Sequence, residues 1–421
     1  MKFVRTSLVW AVLVGWLPLA AEAAFSNYNS LLVGDLAAGV GGAGVALVGD
    51  ASSMAFYNPA TMAQTHGSAF SAAVGVYKKI DTVYGQNEEP TKAPLRVNQG
   101  FFRSLPASTG NVLTLGSYHL GLSIVVPDYD NFKGDVSTTL ENTSSLSYVD
   151  ESLWVGGAVA SDIDEVSSWG VSLYYTARNF QRTVSDKSVD ANQNTQQFSQ
   201  EKTLTQNTLV AQLGYYRQVT DALGAGVVLR MPAYRVAARG SLFQTYTDVT
   251  TNPPNYQSTS NNFQDLQANA VIPGKLGFGL AYQWPSFLLS TEIDIYPGVS
   301  YFDFLDEAWA ARVEHRTTTN FMIGGEYEWN EWFKIRSGFF TNFSSHPDPD
   351  PGVLAIQEDK VDMLGFSASF LLIAGNKIGY TFGGYYVGGR GRSLQRVNQQ
   401  PQILVKTQHV FTMLVGTSFF F

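Results

Sequence analysis

Gly39-Val40-Gly41-Gly42-Ala43-Gly44-Val45-Ala46-Leu47-Val48-Gly49-Asp50-Ala51-Ser52-Ser53-Met54-Ala55-Phe56-Tyr57-Asn58-Pro59-Ala60 is small, rich in Gly and Ala, and carries one charge, at Asp50. It ends in Asn-Pro-Ala. Everything after it reads as alternating strands. A compact segment ahead of a long run of amphipathic strands predicts a plug lodged in the lumen of a membrane barrel.

Working outward, period-two alternation and turn signals give about fourteen strands. Their spans are 67–80, 95–105, 112–127, 150–161, 168–182, 204–217, 222–239, 266–283, 286–297, 316–329, 332–343, 360–373, 376–388 and 407–421. Leu364, Phe366, Ala368, Phe370 and Leu372 alternate with Met363, Gly365, Ser367 and Ser369. Leu276, Phe278, Leu280 and Tyr282 alternate with Gly277, Gly279, Ala281 and Gln283, and Ile378, Tyr380 and Phe382 with Lys377, Gly379, Thr381 and Gly383. The aromatic and branched sets are expected to face lipid, the small and polar sets the lumen. Connections alternate short and long. Short turns fall near 162–167, 218–221, 284–285, 330–331 and 374–375. Long polar loops fall near 81–94, 128–149, 183–203, 244–265, 298–315, 344–359 and 389–406. Short turns inside and long loops outside is the asymmetry of an outer-membrane barrel. Trp154, Trp169, Trp284, Trp329 and Trp332 near strand ends read as an aromatic girdle.

Both ends of the chain agree. Lys2 and Arg5 precede an apolar stretch, Leu8 to Leu17, and Ala21-Glu22-Ala23 is a small-x-small cleavage site. Residues 1–23 therefore read as an export signal. Residues 24–66 read as the hatch, and 67–421 as the barrel. At the other end, Phe411, Met413, Val415, Thr417, Phe419 and Phe421 share one face of a final strand. A closing aromatic is similar to the terminal strand by which the barrel assembly machinery recognises its clients.

Charged residues make up 15% of the 421, well below the roughly 25% of a soluble domain. After the signal, no apolar run reaches the roughly 18 residues a membrane helix needs. The net charge of −8 argues against nucleic acid. The chain has no Cys, which excludes disulfides and thiolate metal sites. His66, His119, His315, His346 and His409 lack metal-ligand spacing. Gly39-x-Gly41-x-x-Gly44 matches a dinucleotide fingerprint but lacks the strand–turn–helix unit around it. Asp348, Asp350, Glu358 and Asp359 read as a solvated acidic loop rather than a calcium site. The reading is a non-enzyme without a cofactor.

Asp50-Ala51-Ser52 and Asn58-Pro59-Ala60 stand just before the first strand. This arrangement resembles the long-chain fatty-acid transporter family of the bacterial outer membrane, which includes toluene and xylene uptake proteins. The segments 273–284 and 336–348 are also similar. The Ser-rich, Arg-containing start of the fatty-acid members' hatch stands here as Leu31-Leu32-Val33-Gly34-Asp35-Leu36. The resemblance implies a fourteen-stranded barrel whose hatch carries Asn-Pro-Ala. It also implies capture of fatty acids or aromatic hydrocarbons at outer loops and exit sideways through the wall, triggered by the hatch. Asn58, Pro59, Ala60 and Asp50 are then the gating residues. Phe180, Phe198, Leu242, Phe243, Tyr246 and Tyr256, in or beside two long central loops, either capture substrate or simply pack those loops together. Arg178, Arg230 and Lys377 are lumen cations that could meet a carboxylate, or could pair with Glu292, Asp294 or Glu326. The expected partners are a hydrophobic small molecule, outer-membrane lipid and lipopolysaccharide. A plugged single barrel needs no second subunit. The alternatives are a structural or interaction barrel that has lost transport, or a general porin.

Overall fold

The computed structural model describes residues 27–65, 67–85, 95–101, 105–137, 143–305, 307, 310, 312–350, 357, 359–375, 377–397 and 400–420. The export signal, His66, Glu358 and Phe421 lie outside the described residues. Two short helices, α1 (Leu36–Gly39) and α2 (Met54–Tyr57), and a 3₁₀ turn (Pro59–Gln64) precede the strands. The strands are β1 (Ala69–Gly85), β2 (Leu95–Phe101), β3 (Leu105–Leu115), β4 (Tyr118–Ser137), β5 (Thr143–Asp162), β6 (Ser167–Val189) and β7 (Thr195–Gln218). Next come β8 (Leu223–Arg230), β9 (Tyr234–Thr251), β10 (Pro254–Leu266), β11 (Lys275–Gln283), β12 (Phe287–Tyr296), β13 (Val299–Phe302) and β14 (Arg312–His315). Last are β15 (Thr318–Asn330), β16 (Phe333–Asn342), β17 (Lys360–Ala374), β18 (Ile378–Val397) and β19 (Gln400–Phe420).

Seventeen of these form one antiparallel sheet. β2 and β3 pair along the same β1, β8 and β9 along the same β7, and β10 and β11 continue one another beside them. Each couple is one wall strand, so the wall has fourteen. It closes where Ala69 meets Phe420 and the register runs on to Gly85 and Val405. Closure leaves no unpaired edge inside lipid, where an unsatisfied backbone group costs several kcal/mol.

The outer face is apolar. Leu364, Phe366 and Phe370 on β17, Phe278 and Leu280 on β11, Tyr380 and Phe382 on β18, and Phe411 and Met413 on β19 are exposed. Met363, Ser367, Ser369, Thr381, Thr412 and Leu414 between them are buried toward the lumen. The strand alternation predicted this division, and the fold is a transmembrane β-barrel.

Four expectations need correction. The spans 95–105 and 112–127 are displaced: β3 ends at Leu115, Gly116-Ser117 turns, and β4 begins at Tyr118. Gly116 has φ +62°, so it suits a tight two-residue turn. Most segments expected as long loops are ladder instead. The β6–β7 hairpin is paired out to Val189 and Thr195, the β9–β10 hairpin to Thr251 and Pro254, and the β18–β19 hairpin to Val397 and Gln400. Their polar residues face water on both sides, so no apolar alternation marks them as strand. Trp154 is not a girdle residue but points inward, 1% exposed. Lys377 does not face the lumen either: it lies exposed in the β17–β18 turn.

Between β12 and β15 the chain leaves the wall and forms the β13–β14 hairpin. Lys202 Nζ holds Asp303 at 2.6 Å, both buried, and a bridge joins Ala268 to Phe304. These contacts tie the excursion to the upper part of β7 and to 267–274, at the end with the long hairpins. His315 Nδ1 lies 2.8 Å from Ser345 Oγ, and its ring packs on Tyr301 and His346. Burial, helped by His346 and Arg178, lowers the His315 pKa to about 3, so this hairpin is built around a neutral imidazole.

Candidate functional site

Residues 31–65 are almost wholly buried among inward-facing wall residues. The local design starts at Asp50. Its Oδ2 accepts from the amides of Asp35, Leu36 and Ala37 at 3.1–3.2 Å, and its Oδ1 from the amide and hydroxyl of Ser52. One carboxylate thus satisfies the free amides at the start of α1 and folds the two halves of the segment together. Gly34, Gly41 and Gly42 all have positive φ, which gives the abrupt bends that such a short segment needs.

Asn58 does three things. Its Nδ2 donates to the carbonyls of Val45 (2.8 Å) and Tyr215 (3.1 Å), and its Oδ1 accepts from the amide of Ala60 (3.1 Å). It therefore caps the 3₁₀ turn, pins the Gly-rich stretch and grips β7 at once. Pro59 occupies the first position of that turn, where a missing amide is harmless. Ser168 Oγ on β6 donates to the Ala60 carbonyl at 2.9 Å.

The wall is shaped to receive this backbone. Gly170 and Gly214, directly paired across β6 and β7, lie against Pro59 and Asn58. Gly226 lies against Val45, Gly324 and Gly338 against Val40, and Gly110 against Ala51. A Cβ at any of them would overlap segment atoms. Polar ties cross the same boundary. Ser290 Oγ donates to Ala43 O, Ser367 Oγ to Gly39 O, and the Val45 amide to Glu292 Oε2. Arg336 on β16 reaches Asp35 Oδ1 at 2.8 Å and Glu326 Oε2 at 2.6 Å, and Thr381 Oγ1 donates to Asp35 Oδ2 at 3.2 Å. Burial pushes the Asp35 carboxyl above the usual carboxylate range, and the Arg336 charge opposes that push.

Above this interface lies a cavity of about 60 Å³. Tyr28, Asn29, Leu31, Leu32, Gly42, Phe56 and Tyr57 come from the N-terminal segment. Val271, Ile272 and Pro273 come from the connection between β10 and β11. Wall strands supply Trp154, Arg178, Gln212, Arg230, Lys275, Asp294 and Tyr296, together with Pro127, Asp128 and Ser152. The cations are largely neutralised. Arg178 forms a two-point pair with Asp150 at 2.9 and 2.6 Å, and Lys275 binds Asp294 at 3.0 Å. The Arg230 guanidinium lies 5.7 Å from the Trp154 ring and 5.6 Å from the Tyr296 ring, and Tyr28 stacks on Tyr296 at 4.4 Å. Burial, reinforced by Glu292, keeps the Tyr57 phenol protonated far above its ordinary range. The chamber thus combines five aromatic rings with charged groups, of which Arg178 and Lys275 are paired with acids and Arg230 faces two of the rings.

Of the residues singled out from sequence, Arg178 and Arg230 line this cavity, while Asn58, Pro59, Ala60 and Asp50 form the interface below it. The loop aromatics do not reach it. Phe180 and Leu242 sit in a separate cluster with Leu204, Leu266 and Phe304. Phe198 pairs across with Tyr246 on the β7–β9 ladder, and Phe243 and Tyr256 are exposed. Sequence reasoning missed Trp154, Lys275 and Tyr296. Parity was the signal for Trp154: it shares a face with Ser152 and Gly156, opposite Leu153 and Val155. Among the described residues, no three acids or histidines are grouped to hold a metal. In the acidic loop, Asp348 pairs with Lys360 and Arg392, and Asp359 with Lys406.

No known family and no curated protein matches the sequence. Solved structures do match in fold. A FadL homologue of Pseudomonas aeruginosa aligns with TM-score 0.63 and 14% identity, over 93% of this chain and 99% of the other. The toluene transporter TodX of P. putida aligns at 0.65 and 12%, over 92% and 98%. The toluene transporter TbuX of Ralstonia pickettii aligns at 0.55 and 15%, over 94% and 99%. The chain therefore shares the fold of these structures, a fourteen-stranded antiparallel barrel.

Proposed function

We propose that the protein is an outer-membrane transporter of hydrophobic small molecules. The observation that carries this reading is the makeup of the cavity: the buried N-terminal segment supplies a large part of its lining, so movement of that segment must change its shape. In this reading residues 24–66 are a plug and the protein is a transporter rather than an enzyme. An apolar solute gains roughly 25 cal/mol for each Å² it removes from water. The aromatic walls supply such a surface. At about 60 Å³ the cavity is smaller than the ~150 Å³ apolar cavity that holds benzene, so in this reading plug side chains such as Leu31 or Phe56 yield when a solute of that size enters.

Asn58→Ala tests the plug's part in this. It leaves the buried Val45 carbonyl without its side-chain donor, at a cost of roughly 1–3 kcal/mol. Cells lacking their own transporters, expressing the protein, should take up radiolabelled oleate or toluene, and uptake should fall at least fivefold in the variant. Equal uptake by both would count against a gate.

The release route has a physical candidate in the wall. β4 slips against β5 between Val125 and Asp128: three residues advance on β4 while two advance on β5, from Trp154 to Ser152. The extra residue is a bulge, and Pro127, which has no amide to donate, lies within it and lines the cavity. This weak point supports sideways release into the membrane. Deleting Pro127 removes the extra residue and lets the ladder continue. The deletion variant should fold as a barrel, judged by heat-modifiable electrophoretic migration, yet lose at least tenfold of its uptake. Full uptake by a folded deletion variant would place the exit elsewhere.

A further inference from the structure

We propose that the outer face of β17, β18, β19 and β1 is a docking site for the phosphorylated head of lipid A, the anchor of lipopolysaccharide. Height comes first. On β18 the lipid-facing row runs from Tyr380 through Phe382 and Tyr386 to Arg390 and then Arg392, all exposed. Ten residues at roughly 3.3 Å each, tilted by roughly 40°, rise about 25 Å. That is about the height of the apolar band of an outer-membrane barrel. Arg390 therefore emerges where the outer leaflet's phosphates lie, at the end of the wall that carries the long hairpins.

The neighbouring strands reach the same level with similar chemistry. On β17, Asp362 stands opposite Arg390 and Lys360 opposite Arg392. On β19, His409 follows Phe411 outward and meets the Tyr386 hydroxyl. On β1, exposed Lys79 lies beside Phe411, in register with Tyr386 and below Arg390. Among the described residues Asp362, Asp81 and Asp348 are acids of this face, Asp359 being held by Lys406, and Asp348 already engages Lys360 at 3.3 Å and Arg392 at 3.6 Å. Among the described residues Arg390, Arg392 and Lys360 stand at this level with Asp362 and Asp348, and the Arg392 side chain stays 61% exposed.

The opposite sector is the internal control. At equivalent heights the outward residues are Glu151 and Val149 on β5, Ala177 and Asn179 on β6, and Leu209 and Asn207 on β7. None is basic. Farther round the wall exposed cations stand apart from one another, Arg239 on β9 opposite Thr205 and Arg316 just ahead of β15, rather than grouped over an aromatic row. A guanidinium presents a fork that matches phosphate oxygens, and the aromatic row below it suits acyl chains.

The test is native mass spectrometry of the detergent-purified protein with three probes: bisphosphorylated hexa-acyl lipid A, the same lipid enzymatically dephosphorylated, and phosphatidylglycerol. The bisphosphorylated form is expected to bind at least tenfold more tightly than the other two. That preference should vanish in Arg390→Gln/Arg392→Gln and persist in the control variant Asn179→Ala. Equal binding of the phosphorylated and dephosphorylated lipids would overturn the proposal. So would equally tight phosphatidylglycerol, which signals unspecific anion attraction, or an undiminished preference in the double variant. None of these readings depends on transport.

Discussion

Deletion of residues 24–64 is expected to raise ion conductance in planar bilayers by more than an order of magnitude over the intact protein. The argument rests on what the segment covers. The inward faces beneath it carry Ser71, Ser108, Ser172, Gln212, Ser290, Glu292, Asn320, Arg336, Ser367 and Thr381, all buried. These are side chains that water can solvate, and they line a fourteen-stranded wall whose fourteen-strand closure does not depend on the segment. The segment hydrogen-bonds Ser71, Ser108, Ser290, Glu292, Arg336, Ser367 and Thr381; without it water must do so, and a polar, hydrated lumen conducts. A folded deletion variant with conductance as low as the intact protein would mean that the segment is not the plug. A high conductance in the intact protein would favour a porin.

The second large effect is expected at Arg336. Its guanidinium joins Asp35 of the segment to Glu326 of the wall, and its side chain is only 4% exposed. Arg336→Met leaves the Asp35 carboxyl buried with Thr381 as its remaining wall contact. Stranding one partner of a buried pair costs about 3–5 kcal/mol. Glu326 suffers less, because Lys334 stays within 3.3 Å. The loss should therefore fall on segment docking rather than on the wall. Hydrogen exchange of amides 35–47 should accelerate at least a hundredfold, while strand amides such as those of β17 change little. Adding Asp35→Asn should recover more than half of the protection, because the stranded charge is gone. Unchanged exchange in Arg336→Met would remove the ion pair from any account of how the segment is held.

How much of this was legible beforehand differs from place to place. The wall was readable where one face meets lipid and the other the lumen, because alternation is then enforced residue by residue, as in β17 and β18. It misled where alternation runs straight through a turn. Around Gly116-Ser117 apolar residues continue on both sides, Leu113 and Leu115 before, Leu120 and Leu122 after, and only a change of phase marks the reversal. It was silent above the membrane, where both faces of the β6–β7 and β9–β10 hairpins meet water. The cavity was the least legible part. Lys275 and Tyr296 sit side by side on the paired strands β11 and β12, and only the curvature of the wall brings Trp154 of β5 and the segment's Tyr57 to them. Lys377 shows the opposite error: a cation that counts as lumen-facing by parity lies just beyond the strand end, where parity no longer applies.

The N-terminal segment is fastened at two heights. Near the short-turn end, Asn58 and Ala60 grip β7 and β6; near the long-hairpin end, Asn27 Nδ2 bonds to the carbonyls of Asn342 and Val361, and Asn27 bridges Ser344. A cord tied at both ends can bow in its middle without coming loose. The residues that border the cavity, from Tyr28 to Tyr57, lie between the two knots. Such an arrangement would let a greasy molecule slip past while the bore stays stoppered against ions, so passage of cargo and electrical tightness need not be traded against each other.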